Sequence, residues 1–325
     1  MNKKLAIIGS GRMAWVISRN AHSMGLITHC FSNSEPDYIH EEVDVFHNIS
    51  IFEKDAIVDI CRAERISGVI ATTELTVSIA AYVAEKIGTP GMPYQNSLYV
   101  TDKFRNRIIC CGIKEIAQPA FYRISDDSEL NKIDFKYPII IKPTNKGGKK
   151  GITVVEKAQH LLDAYKYAKD NSGGAPVIIE EFIIGGQEYS VESLTYKGKH
   201  YIIQVTEKIS SGPPHCVELG HHQPADISTE MRKKIELVLS EGLTAIGVDN
   251  TVCHTEIKIV DDIIYLIEFN ARPGGDHIAW PLTELSTGYN IIKGAINIAL
   301  DSFTEVDYSV FKKNFAGVYF VTTQS

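Results

Sequence analysis

The first hundred residues alternate short apolar runs with segments of helical periodicity, and this rhythm limits the fold more than anything else in the chain. "KLAIIGSG" reads as strand and turn, "RMAWVISRNAHSMG" as helix and "LITHCFS" as a second strand. "DAIVDICRAERI", "SGVIATT" and "LTVSIAAYVAEKIG" continue as helix, strand and helix. Strands separated by helices pair in parallel through crossovers, so an α/β N-terminal domain built on a parallel sheet is expected. "TPGMPYQNS" (89–97), with two prolines, marks a boundary, and "LYVTDKFRNRIICCG" reads as one helix after it. The rhythm then changes. "YPIIIKPTNKGGKKGITVV", "PVIIEEFIIGGQEYSVESLTY", "KHYIIQVTEKI", "TEIKIV" and "IIYLIEFN" look like antiparallel strands, with the helix "STEMRKKIELVLSEGLTAIG" among them. An α+β part therefore follows the α/β part.

The formal net charge of −7 supplies no basic face, so nucleic acid is not an expected partner. No run approaches the 18 apolar residues of a membrane helix. "MNKKLAIIGSG" passes so quickly into a glycine turn that it reads as a first strand rather than a signal peptide. Cys30, Cys61, Cys110, Cys111, Cys216 and Cys253 show neither a C-x-x-C pair nor zinc spacing. Scattered reduced thiols fit a cytoplasmic location.

Four stretches carry chemistry. "GSGRMA" (9–14) matches G-x-G-x-x-A between a strand and a helix, the dinucleotide fingerprint. The second strand, however, ends in Phe31, Ser32 and Asn33, with Glu35 displaced, where a ribose-binding acid would be required. "KPTNKGGKKG" (142–151) sets Lys142 at a strand end before a loop of glycines and lysines, which suits a polyphosphate. The bland alternative is a solvated hairpin turn. In "VIIEEFIIGGQEYSVE" (177–192), Glu180 and Glu181 taken alone read as surface charge. In "HTEIKIVDDIIYLIEFN", Glu256 and Glu268 occupy two strands joined by an acidic turn. A two-residue Asp261–Asp262 turn would place them on opposite faces. A loop of about three residues, Asp261 to Ile263, pairs 256 with 268, so an odd loop is expected. Asn270 then shares their face, and the three make an all-oxygen set suited to Mg²⁺. The alternative is a structural ion pair with Lys258 or Arg272.

In this order, these stretches resemble the ATP-grasp superfamily, from residue 1 to the C-terminus. Within it, "TTELTVSIAAYVAEKIGTPG", "TDKFRNR", "ELGHHQPA" and "IEFNARPGGDHI" are similar to signature stretches of the carboxylate–amine (L-amino acid) ligases. The resemblance implies a pre-ATP-grasp α/β domain over 1–95 and ATP-grasp subdomains over 96–182 and 183–325. It implies ATP and Mg²⁺ as cofactors, with Mn²⁺ able to substitute. Lys103 and Lys142 would contact phosphates, and Lys142 would also act in catalysis. The loop bearing Lys146, Gly147, Gly148 and Gly151 would close over them. Glu181, Phe182 and Ile184 would form the hinge strand that reads adenine, partly through backbone groups, with Glu188 on the ribose. Glu256, Glu268 and Asn270 would hold the metal. Arg272 would steady the substrate carboxylate and the charge that develops in transfer, with Gly275 and His277 nearby. Glu218 and His221 would face the second substrate; adjacent histidines alternate faces in a strand, so only one of His221 and His222 is expected to point inward.

The implied activity joins a carboxylate, activated as an acyl phosphate, to an amine. Its partners are those two small molecules, with neither nucleic acid nor membrane, and homodimer formation is left open. Rival readings are an ATP-grasp carboxylase or formate-using transformylase of the purine-synthesis type, a nicotinamide oxidoreductase, and a nucleotide binder without turnover. Members of this group usually continue with further lid strands, so the chain is expected to be either truncated at its C-terminus or a short member of the group. Mg-ATP should bind and leave the N-terminal fingerprint without a dinucleotide. Tight NADH binding by fluorescence, with none for Mg-ATP, would reverse that order.

Overall fold

The computed structural model describes residues 2–35, 37, 39–145, 147, 150–212 and 217–321. Its N-terminal part is a parallel sheet of β1 (Lys4–Ile8), β2 (Ile27–Ser32), β3 (Val45–Asn48) and β4 (Gly68–Ala71), in the order β3-β2-β1-β4. Strand β1 buries both faces: Ala6 and Ile8 join one core cluster, Leu5 and Ile7 another. That is why it reads as a continuous apolar run rather than an alternation. The turn after β1 needs glycine at position 9, where φ is +98° and a Cβ would lie 2.4 Å from Thr72 Oγ1.

A second sheet, antiparallel throughout, contains β5 (Phe121–Ile124), β6 (Ile139–Pro143), β7 (Thr153–Val155) and β8 (Val177–Glu181), in the order β5-β8-β6-β7. It has its own apolar cluster, with Ile139, Ile141, Val177 and Ile179 packed against Tyr165 and Ala168 of the helix Leu161–Asn171. The third and largest sheet holds β9 (Gln187–Tyr196), β10 (Lys199–Ser210), β11 (Glu218–Gln223), β12 (Thr251–Val260), β13 (Ile263–Asn270) and β14 (Ala316–Tyr319), in the order β13-β12-β9-β10-β11-β14. Val191, Cys253, Ile257 and Val205 share one cluster with Ile235, Val238, Leu239 and Leu243 of the helix Thr229–Ile246. Ser190, Glu192, His254 and Glu256 alternate with those apolar residues, so they occupy the opposite face. No helix among the described residues is long and apolar enough to cross a membrane.

Two expectations are corrected. The segment read as one helix is two, Tyr94–Val100 and Lys103–Cys110. Asp102 breaks it by turning extended and accepting the backbone N–H groups of Phe104 and Arg105, an N-cap that competes with helix continuation. The hairpin loop between β12 and β13 is not odd: Val260 pairs with Ile263, leaving the two-residue turn Asp261–Asp262. Glu256 nevertheless pairs with Glu268, because Ile257 pairs with Leu266 and Ile267 bulges out. The extra residue in the bulge supplies the parity that had been assigned to the loop.

Asp261 and Asp262 adopt φ of +49° and +61°, a left-handed conformation that penalises a Cβ. Asp262→Gly should stabilise the protein by about 1 kcal/mol. An unchanged or lowered urea midpoint would show that the turn is not strained.

Candidate active site

The polar face of the large sheet forms the floor of the candidate site, and its cross-strand pairs set the geometry. Glu256 lies between Ser190 on β9 and Glu268 on β13; His254 lies between Glu192 and Asn270. Two carboxylates directly opposite each other destabilise a sheet unless cations compensate. Two lysines do so here. Lys208 Nζ stands 3.1 Å from Glu256 Oε1 and 2.9 Å from Glu218 Oε1. Lys103, placed by the helix that Asp102 starts, reaches Glu268 Oε2 at 2.8 Å and Glu74 Oε1 at 3.5 Å. Burial opposes the charge on both lysines, yet the facing carboxylates hold each ammonium above its ordinary pKa. Burial likewise disfavours the Glu256 carboxylate, but Lys208 and His254 hold it well below the usual range.

A second buried network lies where the small sheet meets the large one. Arg107, wholly buried, donates from Nε to Glu180 Oε1 at 2.6 Å, from Nη2 to Oε2 at 3.3 Å, and from Nη1 to the Leu266 carbonyl at 2.7 Å. Lys142 Nζ pairs with Glu180 Oε2 at 2.7 Å. Burial alone would raise the Glu180 pKa, but Arg107 and Lys142 override it and bring it down to about 2. Lys142 is shifted below its ordinary value, chiefly by burial.

A third group joins the β12–β13 hairpin to the loop beyond β13. His254 Nδ1 donates to Glu192 Oε1, and Glu192 Oε2 accepts the Gly274 backbone N–H at 3.1 Å. Burial would lower the His254 pKa, yet the Glu192 carboxylate raises it to about 9.

These groups surround a cleft of about 470 Å³ between the two antiparallel sheets. Of the residues expected at the site, Lys103, Lys142, Gly147, Glu181, Phe182, Glu188, Glu218, Glu256, Glu268, Arg272 and Gly275 line it. Asn270 is buried behind Glu268 and donates from Nδ2 to its Oε1 at 2.9 Å. His221 is buried too, with Nε2 at 3.0 Å from Glu218 Oε2, while His222 turns to Tyr319 Oη, as alternation requires. Lys146 and Gly148 lie outside the described residues.

Like Asn270 and His221, three further expected residues do not line the cleft. Ile184 is 66% exposed, and Ile183 lines the cleft in its place because the strand has ended and side-chain alternation with it. Gly151 serves a turn at φ +80°, packed on Pro143 and Asn171. His277 meets the Arg12 guanidinium, whose nitrogens lie 2.9 and 3.0 Å from its ring nitrogens. Burial first and Arg12 second lower its pKa.

The structure also brings in Glu74, Arg107, Glu180, Glu192, Lys208 and His254, which the sequence reading left without roles. Glu180 reverses an expectation, being fully paired rather than surface charge. Its place at the end of an unbroken buried run was the available signal. Four of the described thiols are poor nucleophiles: burial pushes Cys30, Cys61 and Cys253 up to about 12 and Cys110 to about 11.

The carboxylates of Glu256 and Glu268 suit a hard divalent cation of the Mg²⁺ type, whereas Asn270, expected as a third oxygen donor, does not line the cleft and turns its Nδ2 to Glu268. The two glutamates share one face and open on the cleft.

Comparison with known proteins gives a consistent picture. Residues 135–280 match the family model of the ATP-grasp domain. The chain is 29% identical to a D-alanine–D-alanine ligase of Neisseria gonorrhoeae over 220 residues, covering 64% of this chain and 71% of that one. It is 22% identical to a formate-dependent phosphoribosylglycinamide formyltransferase of Wolinella succinogenes, over 83% of this chain and 70% of the other. The crystal structure of an L-amino acid ligase from Bacillus licheniformis superposes with a TM-score of 0.85 and 25% identity, covering all of this chain and 81% of that one.

The Glu180 network sets a pH dependence. A carboxyl lowered from 4.5 to about 2 contributes stability that is present above pH 4.5 and lost as the pH falls toward 2. Urea midpoints measured between pH 5 and pH 2.5 should therefore fall more steeply for the wild type than for Glu180→Gln. Parallel slopes would contradict the assignment. Arg107→Met should cost about 3–5 kcal/mol, as expected when one partner of a buried ion pair is removed.

Proposed function

We propose, from the match of residues 135–280 to the ATP-grasp domain and the likeness to carboxylate–amine ligases, that the chain is an ATP-dependent carboxylate–amine ligase. The observation that carries this reading is the single polar sheet face on which Glu256 and Glu268 meet between two buried lysines, with Arg272 lining the same cleft. No Ser/His/Asp arrangement or thiolate is required. The work is positioning and neutralisation of a transferring phosphoryl group.

In this reading the nucleotide occupies the cleft between the small and large sheets. Lys103 and Lys142 face its phosphates, Glu181 and Phe182 its base, and Glu188 its ribose. Mg²⁺, or Mn²⁺ in its place, would be held by Glu256, Glu268 and Asn270 and would neutralise phosphate charge. Arg272 holds the carboxylate substrate. A carboxylate oxygen forms a bond to the γ-phosphorus as the bond to ADP breaks, giving an acyl phosphate. The amine nitrogen then attacks the acyl carbon, loses a proton and releases inorganic phosphate. Glu218 and Asp276, together with His221, bring ligand-type atoms within 4.8 Å of one another, an arrangement suited to an ammonium group. Amino acids therefore suit the amine role, and the scattered thiols fit a cytoplasmic setting.

A planar, permanently charged fork can grip two oxygens of a carboxylate, which an ammonium does less well. Arg272→Lys should thus retain ATP binding and slow transfer by about 10²–10³-fold, as on losing one preorganised stabilising group. The measurement is hydroxylamine trapping of the activated acid as a hydroxamate, alongside phosphate release over pairs of amino acids. Wild-type rates in the variant, or no carboxylate-dependent ADP in the wild type, would end the acyl-phosphate reading. ADP formation driven by bicarbonate or formate alone would favour the carboxylase or transformylase alternative.

A further inference from the structure

We infer that Glu192 is a positioning residue that fixes the metal-binding carboxylate Glu256 and the Arg272 loop at once. The inference rests on the proposed function above. Glu192 is 0% exposed and lies in the middle of the large sheet, a costly place for a carboxylate that serves no purpose there. Its two oxygens point to different parts of the site. Oε1 accepts from Nδ1 of His254, whose Nε2 stands 3.5 Å from Glu256 Oε1. Oε2 accepts the Gly274 backbone N–H at 3.1 Å, two residues beyond Arg272.

The space around the pair is fully used. A Cβ on Gly274 would lie 2.5 Å from Glu192 Oε1 and 2.6 Å from His254 Nδ1, so only glycine lets the loop approach this closely. The register supports the same assignment, since Glu192 is the cross-strand neighbour of His254, and His254 of Asn270. One carboxylate therefore stands behind the oxygen donor Glu256 and behind the loop that carries the guanidinium. Partners of this kind orient ligands, and their loss typically weakens metal binding 10–100-fold.

The test uses the full chain with Mn²⁺ and ADP, following free Mn²⁺ by its electron paramagnetic resonance signal. Glu192→Ala should raise the half-saturating Mn²⁺ concentration about 10–100-fold. ADP binding without divalent metal, followed by calorimetry, should stay at the wild-type value. Glu192→Gln should recover most of the Mn²⁺ affinity, because its amide can still accept from Gly274 and reach His254. If Glu192→Ala does not fold, Gly274→Ala takes its place, since the added methyl must push the pair apart and cause the same loss. Wild-type Mn²⁺ affinity in a folded variant would overturn the inference. So would failure of Glu192→Gln to rescue, or an equal loss of metal-free ADP binding, which would mean a merely structural role. A wild-type protein that binds no Mn²⁺ with ADP would sink the proposed function as well; wild-type binding with unaffected variants would sink this inference alone.

Discussion

Two carboxylates set face to face on a buried sheet surface are unstable unless positive charge reaches both, and much of this fold delivers it. Glu256 and Glu268 are opposed by register, not by flexible side chains that could swing apart. The remedy comes from distant parts of the chain: Lys208 from β10 and Lys103 from a helix that begins only because Asp102 interrupts the preceding one. In water each such pair would contribute little; out of water, removing one member would strand a charge. In the proposed function, a divalent cation held on this face would take over part of the lysines' work.

Fold class was readable because period does not depend on tertiary detail. The α/β rhythm of "KLAIIGSG" and its successors, and the alternation in "TVCHTEIKIV", are properties of local chain geometry. Glu256, Glu268, Arg272 and Lys142 stood out as charges at the ends of, or on the polar side of, apolar strands. The bulge at Ile267 did not, because an aliphatic residue within a strand carries no mark of its being unpaired. Arg107 was equally silent, and Glu180, though it ends a buried run, gave no sign of its partner. Each looks like surface charge in its own segment, and only the approach of two separate elements makes them partners. Glu192 and Gly274 are hidden for the same reason, eighty-two positions apart in the chain.

The cores are divided among the sheets. The parallel sheet and the large sheet share two apolar clusters, whereas the small sheet has one to itself. The apolar packing beneath the acidic face is therefore independent of the small sheet's core. The small sheet's attachment near the cleft runs through Arg107, which grips Glu180 on one side and the Leu266 carbonyl on the other. The end of β6 is held there too, by Lys142 on Glu180 and by the Lys103 backbone N–H on the Thr144 carbonyl.

The single bulged residue in the β12–β13 hairpin also governs how this gene segment can change in length. Parity decides which face Glu268 occupies, so inserting or deleting one residue between Glu256 and Glu268 exchanges inside for outside unless a bulge is gained or lost with it. Changes of two residues at the Asp261–Asp262 tip leave parity intact. Natural or designed variants of the hairpin should therefore drift in even steps, and an odd step should be found only with a compensating irregularity in one of the two strands.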